Sequence, residues 1–430
     1  MTPTDAVRQG PFPTTIPIEE YRNRAQAWLA QRLQPVSRAD KVGVDAQWGE
    51  GSDDVSVFHR LLFEDEAELL RKVSEWHQAR CDAGFGAITW PVELGGAGLS
   101  HAHHRAYEEV EAGYVTPDSH ETFSVTTGLV APTINIFGTE EQRSRFVRRF
   151  LRAEELCCQL FSEPGAGSDL AGLGTSAVRD GDDWVVNGQK VWTSGAQFSQ
   201  WGELLARTDP GAPKHAGLTA FMVAMDMPGV EVRPIKQMSG GSSFNEVFFS
   251  DARIPDNLRL GDVGSGWKVG LTTLGFERGG SGSGRSVGGS WEQLLGLAQR
   301  LGRTDDPWVR QRLMEVYSGE RVREYVRMWA ASRAAAGHAP GPEGSIGKLA
   351  WTIGLTRIGE VAAELLGARL TADTGDWGTY AWNDHILGAP GYRIAGGSDE
   401  IQRNIIAERV LGLPAEIRVD RGMPWSAIPR

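Results

Sequence analysis

The hydrophobic pattern of this chain changes period twice. Residues 17–155 carry mostly helical spacing, residues 156–262 break into short β-type runs divided by Gly-, Asp- and Pro-rich turns, and residues 263–415 return to helical spacing. The order predicts an α+β protein with an N-terminal helical domain, a central β-domain and a C-terminal helical bundle. Residues 1–16 are polar and contain proline, which reads as a mobile N-terminal arm, and 416–430 read as a C-terminal tail. With 430 residues the chain is long enough for two or three domains with substantial cores.

In the first third the spacing predicts helices over Ile18–Leu33 (opening at Pro17), Phe58–Ala83 (stopped by Gly84 and Gly86), Ser100–Gly113 (capped by Ser100) and Val125–Phe137. A further helix over Thr139–Phe150 opens on Thr139 with Gln142 three residues on, a capping-box pattern. Strand-like runs follow at Trp184–Val186, Leu204–Ala206, Leu218–Met225, Val230–Pro234 and Glu246–Phe249. The last third predicts helices over Trp267–Ser286, Trp291–Leu301, Pro307–Ala336, Gly344–Leu370 and Ser398–Leu411.

Charge and composition narrow the function. A net charge of −11 argues against nucleic acid as a partner, which would call for basic patches. Three cysteines, two of them adjacent, make no disulfide framework and no metal-ligand spacing, so a reducing cytoplasm is expected. No apolar run approaches the ~20 residues of a membrane helix, and the N-terminus lacks the apolar core of a signal peptide. The chain reads as a soluble protein with no membrane partner and no bound metal.

The richest stretch is 157–200. It opens on the small-residue turn Glu163-Pro164-Gly165-Ala166-Gly167-Ser168-Asp169 and continues through β-type runs at Thr175–Arg179 and Trp184–Val186. Asn187-Gly188 between apolar runs predicts a second tight turn leading into Lys190–Gly195. Glycine lets a backbone approach a ligand closely. Ser162, Ser168 and Ser194 add hydroxyls, and Trp192 adds a flat apolar face with one polar tip. Together these suit a planar, hydrogen-bonding ring. An ordinary loop and hairpin, with Trp192 as core packing, is the plain alternative.

EPGAGSD followed by NGQKVWTSG resembles the flavin-binding signature of acyl-CoA dehydrogenases. Further matches are Trp90-Pro91 with Leu94-Gly95-Gly96, Phe137–Gln142, Gly264–Lys268 and Ile401–Ile405, so the resemblance spans roughly residues 55–415. It implies the three-domain fold, FAD as cofactor and an acyl-CoA substrate. It places Gln159, Phe161, Ser162 and Gly167 along the flavin or the pantetheine entrance, Ser168 at the CoA moiety, and Trp192, Thr193 and Ser194 beside the flavin ring. Ser398 and Glu400 match positions at the FAD adenosine part. Glu364 and Gly367 stand in for a Gln-x-x-Gly-Gly segment that contacts FAD across a subunit boundary. Arg303 stands near the place of a missing Arg-x-x-Phe-Gly segment, as a pyrophosphate ligand.

Many members of the family carry their catalytic glutamate near the C-terminus, where alignment on Ile401-Gln402-Arg403 puts Gly396. Glycine cannot act as a base. Another branch carries the base in a Glu-Arg pair on the first helix after the β-domain, which here is Glu277-Arg278. Glu277 is therefore the candidate base for the α-proton, with Arg278, Gly396 and Ser168 assigned to the substrate. On residues alone Glu277 also reads as a solvated helix carboxylate. The following Gly280, Ser281 and Gly284 would share its face if the helix continued, leaving room for a bulky acyl chain; close packing or a helix break would explain them equally. The resemblance implies electron-transfer flavoprotein as partner and a homo-oligomer (dimer or tetramer) or a mixed tetramer. An oxygen-reactive oxidase or monooxygenase on the same fold and a non-catalytic subunit are the competing readings.

Overall fold

The computed structural model describes residues 11–13, 15–37, 49, 52–279, 287–336 and 341–429, with backbone only at 277–279, 334 and 335. The N-terminal part is helical: α1 (Ile18–Ala30), α2 (Phe63–Ala83), α3 (His101–Glu111), α4 (Glu121–Phe123), α5 (Ala131–Phe137), α6 (Glu140–Gln142) and α7 (Arg148–Leu151). A π-helical stretch, Ser124–Val130, joins α4 to α5, and another, Arg143–Val147, joins α6 to α7. Thr139 and Gln142 close the expected capping box. Gly84 stops α2 in the left-handed conformation at φ 81°, as its sequence position suggests. Two expectations fail. Ser100 stands at the N-cap of α3 but accepts no backbone N–H there, because its hydroxyl pairs with His103 Nδ1 at 2.8 Å. And α2 begins at Phe63, not Phe58: Phe58 is buried, stacked on Tyr392 with ring centroids 4.9 Å apart, which holds residues 58–62 out of the helix.

The central part is one sheet of β1 (Cys157–Leu160), β2 (Ser176–Asp180), β3 (Asp183–Ser194), β4 (Trp201–Arg207), β5 (Leu218–Ala224), β6 (Val230–Ile235), β7 (Phe244–Pro255) and β8 (Arg259–Leu260). The order is β6-β7-β3-β2-β4-β5-β8, with β1 parallel to β4. Alternation splits the faces. Cys157, Phe161 and Leu205 point into a core shared with helices, while Cys158, Leu160 and Leu204 point into a core within the β-domain.

Asn187-Gly188 is not a hairpin turn. β3 runs through it to Ser194, and the register with β7 slips between Val186 and Gly188, a β-bulge. Two features hold the bulge. Asn187 accepts from the Asp251 N–H at 2.9 Å and donates to the Asp251 carboxylate at 3.0 Å. Gly188 packs so closely on Thr175 that an added Cβ would lie 2.4 Å from its hydroxyl oxygen.

The remaining helices are α8 (Gly266–Gly279), α9 (Trp291–Arg300), α10 (Pro307–Ala335), α11 (Gly344–Leu366), α12 (Trp382–Tyr392) and α13 (Asp399–Ile405). α8 lies against the sheet through two glycines one turn apart. A Cβ at Gly266 would come within 2.6 Å of the Thr219 nitrogen, and one at Gly270 within 2.7 Å of Leu205. α11 ends at Leu366, not Leu370, because Gly367 takes φ +51°. The segment after Gly412 is not loose throughout. Pro424 bridges Pro213, the Trp425 N–H donates to the Ala212 carbonyl, and the Trp425 indole donates to the Gly172 carbonyl at 3.0 Å.

Candidate active site

The turn that follows β1 is stapled to β3 by one buried lysine. Lys190 is fully buried, and its Nζ donates to the Phe161 carbonyl at 3.0 Å and to Glu163 Oε1 at 2.8 Å. Glu163 in turn accepts the Gly174 and Thr175 N–H groups at 2.7 and 2.9 Å. The Val191 N–H donates to the Ser162 carbonyl at 2.9 Å. Burial pushes the Lys190 ammonium down to about 8 against the pull of Glu163. Burial also opposes ionisation of Glu163, but Lys190 and the Gly174 N–H outweigh it and hold the carboxyl below its ordinary range.

Next to this staple the β3–β7 register slips again, between Lys190 and Thr193. The slip puts Trp192 at φ +61° with its side chain 60% exposed, edge-on to Phe244. A large aromatic that is both exposed and in the left-handed region is unusual. Gly165 and Gly167 face open space where a Cβ would stand. Buried polar atoms wait here: Gln159 Nε2, Thr193 Oγ1, Thr122 Oγ1 and Asn245 Oδ1 have no hydrogen-bond partner among the described residues. Ser194 pairs with Glu121 at the head of α4. An exposed indole, an open glycine cradle and unpartnered donors and acceptors fit a planar cofactor with polar edges. Gln159, Ser162, Gly167, Trp192, Thr193 and Ser194 are the residues that would hold it. Phe161 differs: its ring is buried against α8, with Cε2 3.5 Å from the Cβ position of Gly270, so only its backbone faces the staple. Ser168 is exposed on the same turn.

The other expected positions form two separate groups. Arg303 pairs with Asp306 at 2.8 Å and donates to the Glu364 carbonyl at 3.4 Å, while Glu364 is held by Arg312. Arg303, Arg312 and Glu364 line a 240 Å³ cavity with Trp308, Val309, Val361 and Leu365, and Gly367 follows at the end of α11. In the third group Ser398 caps α13 through the Ile401 N–H, Glu400 is exposed in the first turn, and Gly396 and Gly397 both take positive φ, 65° and 85°. Lys348 Nζ pins that turn through the Gly397 carbonyl at 2.6 Å.

Glu277 and Arg278 fall in the last turn of α8. Their side chains, and residues 280–286 with Gly280, Ser281 and Gly284, lie outside the described residues.

Sequence reasoning missed Lys190, Glu163 and a buried carboxyl, Glu203. Burial pushes Glu203 up to about 8, opposed by a hydrogen bond from Thr273. The signal was present: Trp201–Arg207 is a strand with an acid on the same face as Leu205. One more cluster, His59, Glu66 and His120, brings its potential ligand atoms within 4.8 Å of one another. There His120 Nδ1 accepts the Thr122 N–H, so Nε2 carries the proton and donates to Glu66 at 3.0 Å, leaving no lone pair for a metal.

Comparison with known proteins gives the same helical, β and helical order as one family. The acyl-CoA dehydrogenase N-terminal domain matches residues 60–154, the middle domain 158–252 and the C-terminal domain 264–411. The chain belongs to the acyl-CoA dehydrogenase family, and it is an oxidoreductase of that class. It is 41% identical over 405 residues to acyl-CoA dehydrogenase IpdE1 of Mycobacterium tuberculosis, covering 93% of this chain and 99% of that one. Among solved structures, the Tcur3481-Tcur3483 steroid ACAD matches with TM-score 0.70 and 25% identity over 94% of this chain and all of that one. The ChsE4-ChsE5 complex from Mycobacterium tuberculosis matches with TM-score 0.67 and 27% identity over 94% of this chain and 100% of that chain. The family implies FAD. No helix among the described residues is long and apolar enough to cross a membrane.

Proposed function

We propose that the protein carries out FAD-dependent α,β-dehydrogenation of an acyl-CoA thioester, with Glu277 taking the α-proton. The observation that supports Glu277 most is the backbone at the alternative position. Gly396 and Gly397 form a left-handed pair, a conformation that disfavours any side chain, so a glutamate there would be strained as well as absent. α8 instead runs from the sheet, at Gly266 and Gly270, to Glu277 in its last turn, ~10 Å beyond Gly270 at 1.5 Å per residue.

When bound, FAD supplies the hydride acceptor for the β-carbon. The protein's own residues position and exclude. Lys190 and Glu163 fix the turn that presents Ser162, Gly167 and Ser168. Thr193 and Gln159, with hydrogen-bonding atoms that have no partner among the described residues, would meet the ring's polar edges, and Trp192 would cover a face. Ser168 and Arg278 hold the substrate. Arg303, Glu364, Gly367, Ser398 and Glu400 would hold the remainder of FAD, the first three across a subunit boundary.

The acyl part is bulky and ring-bearing, supported by the steroid designation of one structural neighbour and the small residues after Glu277. The two-component composition of two neighbours supports a mixed tetramer over a homo-oligomer. Electron-transfer flavoprotein is the electron acceptor, in the cytoplasm. The test is anaerobic mixing of flavin-loaded protein with straight-chain and ring-bearing acyl-CoAs, followed by air or electron-transfer flavoprotein. Bleaching of the flavin by ring-bearing substrates, with slow reoxidation in air, is expected. No bleaching by any acyl-CoA would overturn the reading.

A further inference from the structure

A sealed polar chain links β4, the strand paired with β1, to α8 and α5. Glu203 on β4, Thr273 on α8 and Thr133 on α5 are all fully buried. Thr273 donates to Glu203 Oε1 at 2.7 Å and lies 3.0 Å from the Thr133 hydroxyl. Glu203 is the register partner of Gln159 on β1, so the two side chains share one face of the sheet. Glu203 Oε2 and Gln159 Nε2 are both buried without a partner among the described residues. Thr273 stands four residues before Glu277, one turn down the same face of α8.

We propose that Glu203 is a positioning residue for α-proton transfer: acting through Thr273, it sets where α8 stands against β4 and its neighbour β1, and it does so only as the neutral acid. The inference rests on the reading of Glu277 as the base. No cation among the described residues pairs with Glu203. α8 offers it the Thr273 hydroxyl, with Thr133 of α5 behind that, its register partner on β5 is Met222, and β1 offers Gln159 and the Cys157 thiol. Burial keeps that thiol neutral, raised well above its ordinary range, so Cys157 supplies no compensating or competing charge in the working pH range. A carboxylate formed here must draw in water or push the helix away. Displacing a base by about 1 Å can cost on the order of 100-fold in rate.

The experiment measures the single-turnover rate of flavin reduction by acyl-CoA from pH 6 to pH 9.5 in flavin-loaded wild type and Glu203→Gln. Gln keeps the shape and the acceptor for Thr273 but cannot ionise. The ratio of variant to wild-type rate should stay near one below about pH 7 and rise by about tenfold or more above pH 8. Taking the ratio removes any contribution from Lys190, which is present in both proteins. Thr273→Val should slow reduction at every pH with flavin content and apparent substrate affinity unchanged, and Thr273→Ser should restore it. A flat ratio, or a Thr273→Val variant that reduces at the wild-type rate, overturns the proposal. Glu277→Gln measured alongside separates the two readings. If it is inactive while the ratio is flat, only the role of Glu203 fails; if it is active, the base assignment fails.

Discussion

Lys190 Nζ sits 2.8 Å from Glu163 Oε1, and the lysine that makes this ion pair has no exposed surface. The pair joins a strand to a glycine turn that has few side chains of its own to hold it. Replacing Lys190 with Met leaves Glu163 beside two N–H groups but without its cation. Breaking a buried pair in this way costs about 3–5 kcal/mol. Chemical denaturation should show that loss, and flavin titration should show weakened uptake by the folded fraction. Unchanged flavin affinity would mean that the turn holds its shape without the staple.

The same lysine sets an alkaline trend. Its folded pKa is about 8, below the ordinary 10.5. Between these values the unfolded chain binds more protons than the folded one, so this group's contribution makes stability rise with pH across that window. The stability advantage of wild type over Lys190→Met should therefore grow with pH from about 8 to 10.5 and stay level below that window, down to the acidic range where Glu163, which loses its cation in the variant, titrates.

Glu203 works in the opposite sense. Its folded pKa of about 8 lies above the ordinary 4.5, so the folded state holds the extra proton between those values and stability falls as pH rises through them. Glu203→Gln lacks this slope. Its melting temperature should exceed that of wild type by a margin that widens from pH 5 to pH 8, corresponding to a few kcal/mol at the upper end. A constant margin would show that Glu203 ionises in the folded protein at its ordinary pH.

The C-terminal strap should matter to the loop it crosses. Trp425 donates to the Gly172 carbonyl and lies under the Arg207 guanidinium at 4.6 Å, while Lys214 reaches Asp169 of the glycine turn and Asp420 of the strap. Trp425→Ala removes this hydrogen bond and this cation–π contact, about 1–2 kcal/mol together. Hydrogen exchange should rise at residues 169–174 and remain unchanged in α9–α11.

The sequence carried the architecture well where local chemistry and packing agree. Thr139 with Gln142 closes the capping box it advertises, and the helix–sheet–helix order follows from the period changes. It misled where tertiary contacts override local signals. Asn187-Gly188 has the chemistry of a hairpin, but Asp251 and Thr175 close around it and keep the strand running. α12 was invisible because Gly388, Pro390 and Gly391 read as breakers. In the fold two of them are close-packing points, with Cβ positions 2.7 Å from Val57 and 2.7 Å from Phe58. Glu203 and Lys190 escaped notice because a charged residue in a strand reads as solvent-facing until its face is known. The glycine turn and Trp192 were legible because exposed glycine and aromatic residues leave their mark in the local sequence itself.

The proposed role of Glu277 as the base is open to one direct measurement. Flavin-loaded wild type and Glu277→Gln are mixed anaerobically with a ring-bearing acyl-CoA, and loss of the oxidised-flavin band is followed in time. Gln keeps the size of the side chain but accepts no proton. The account predicts equal flavin content and melting temperature in the two proteins, and a reduction rate lower by ~10²–10⁴-fold or more in the variant. Reduction by Glu277→Gln at a near wild-type rate would contradict it.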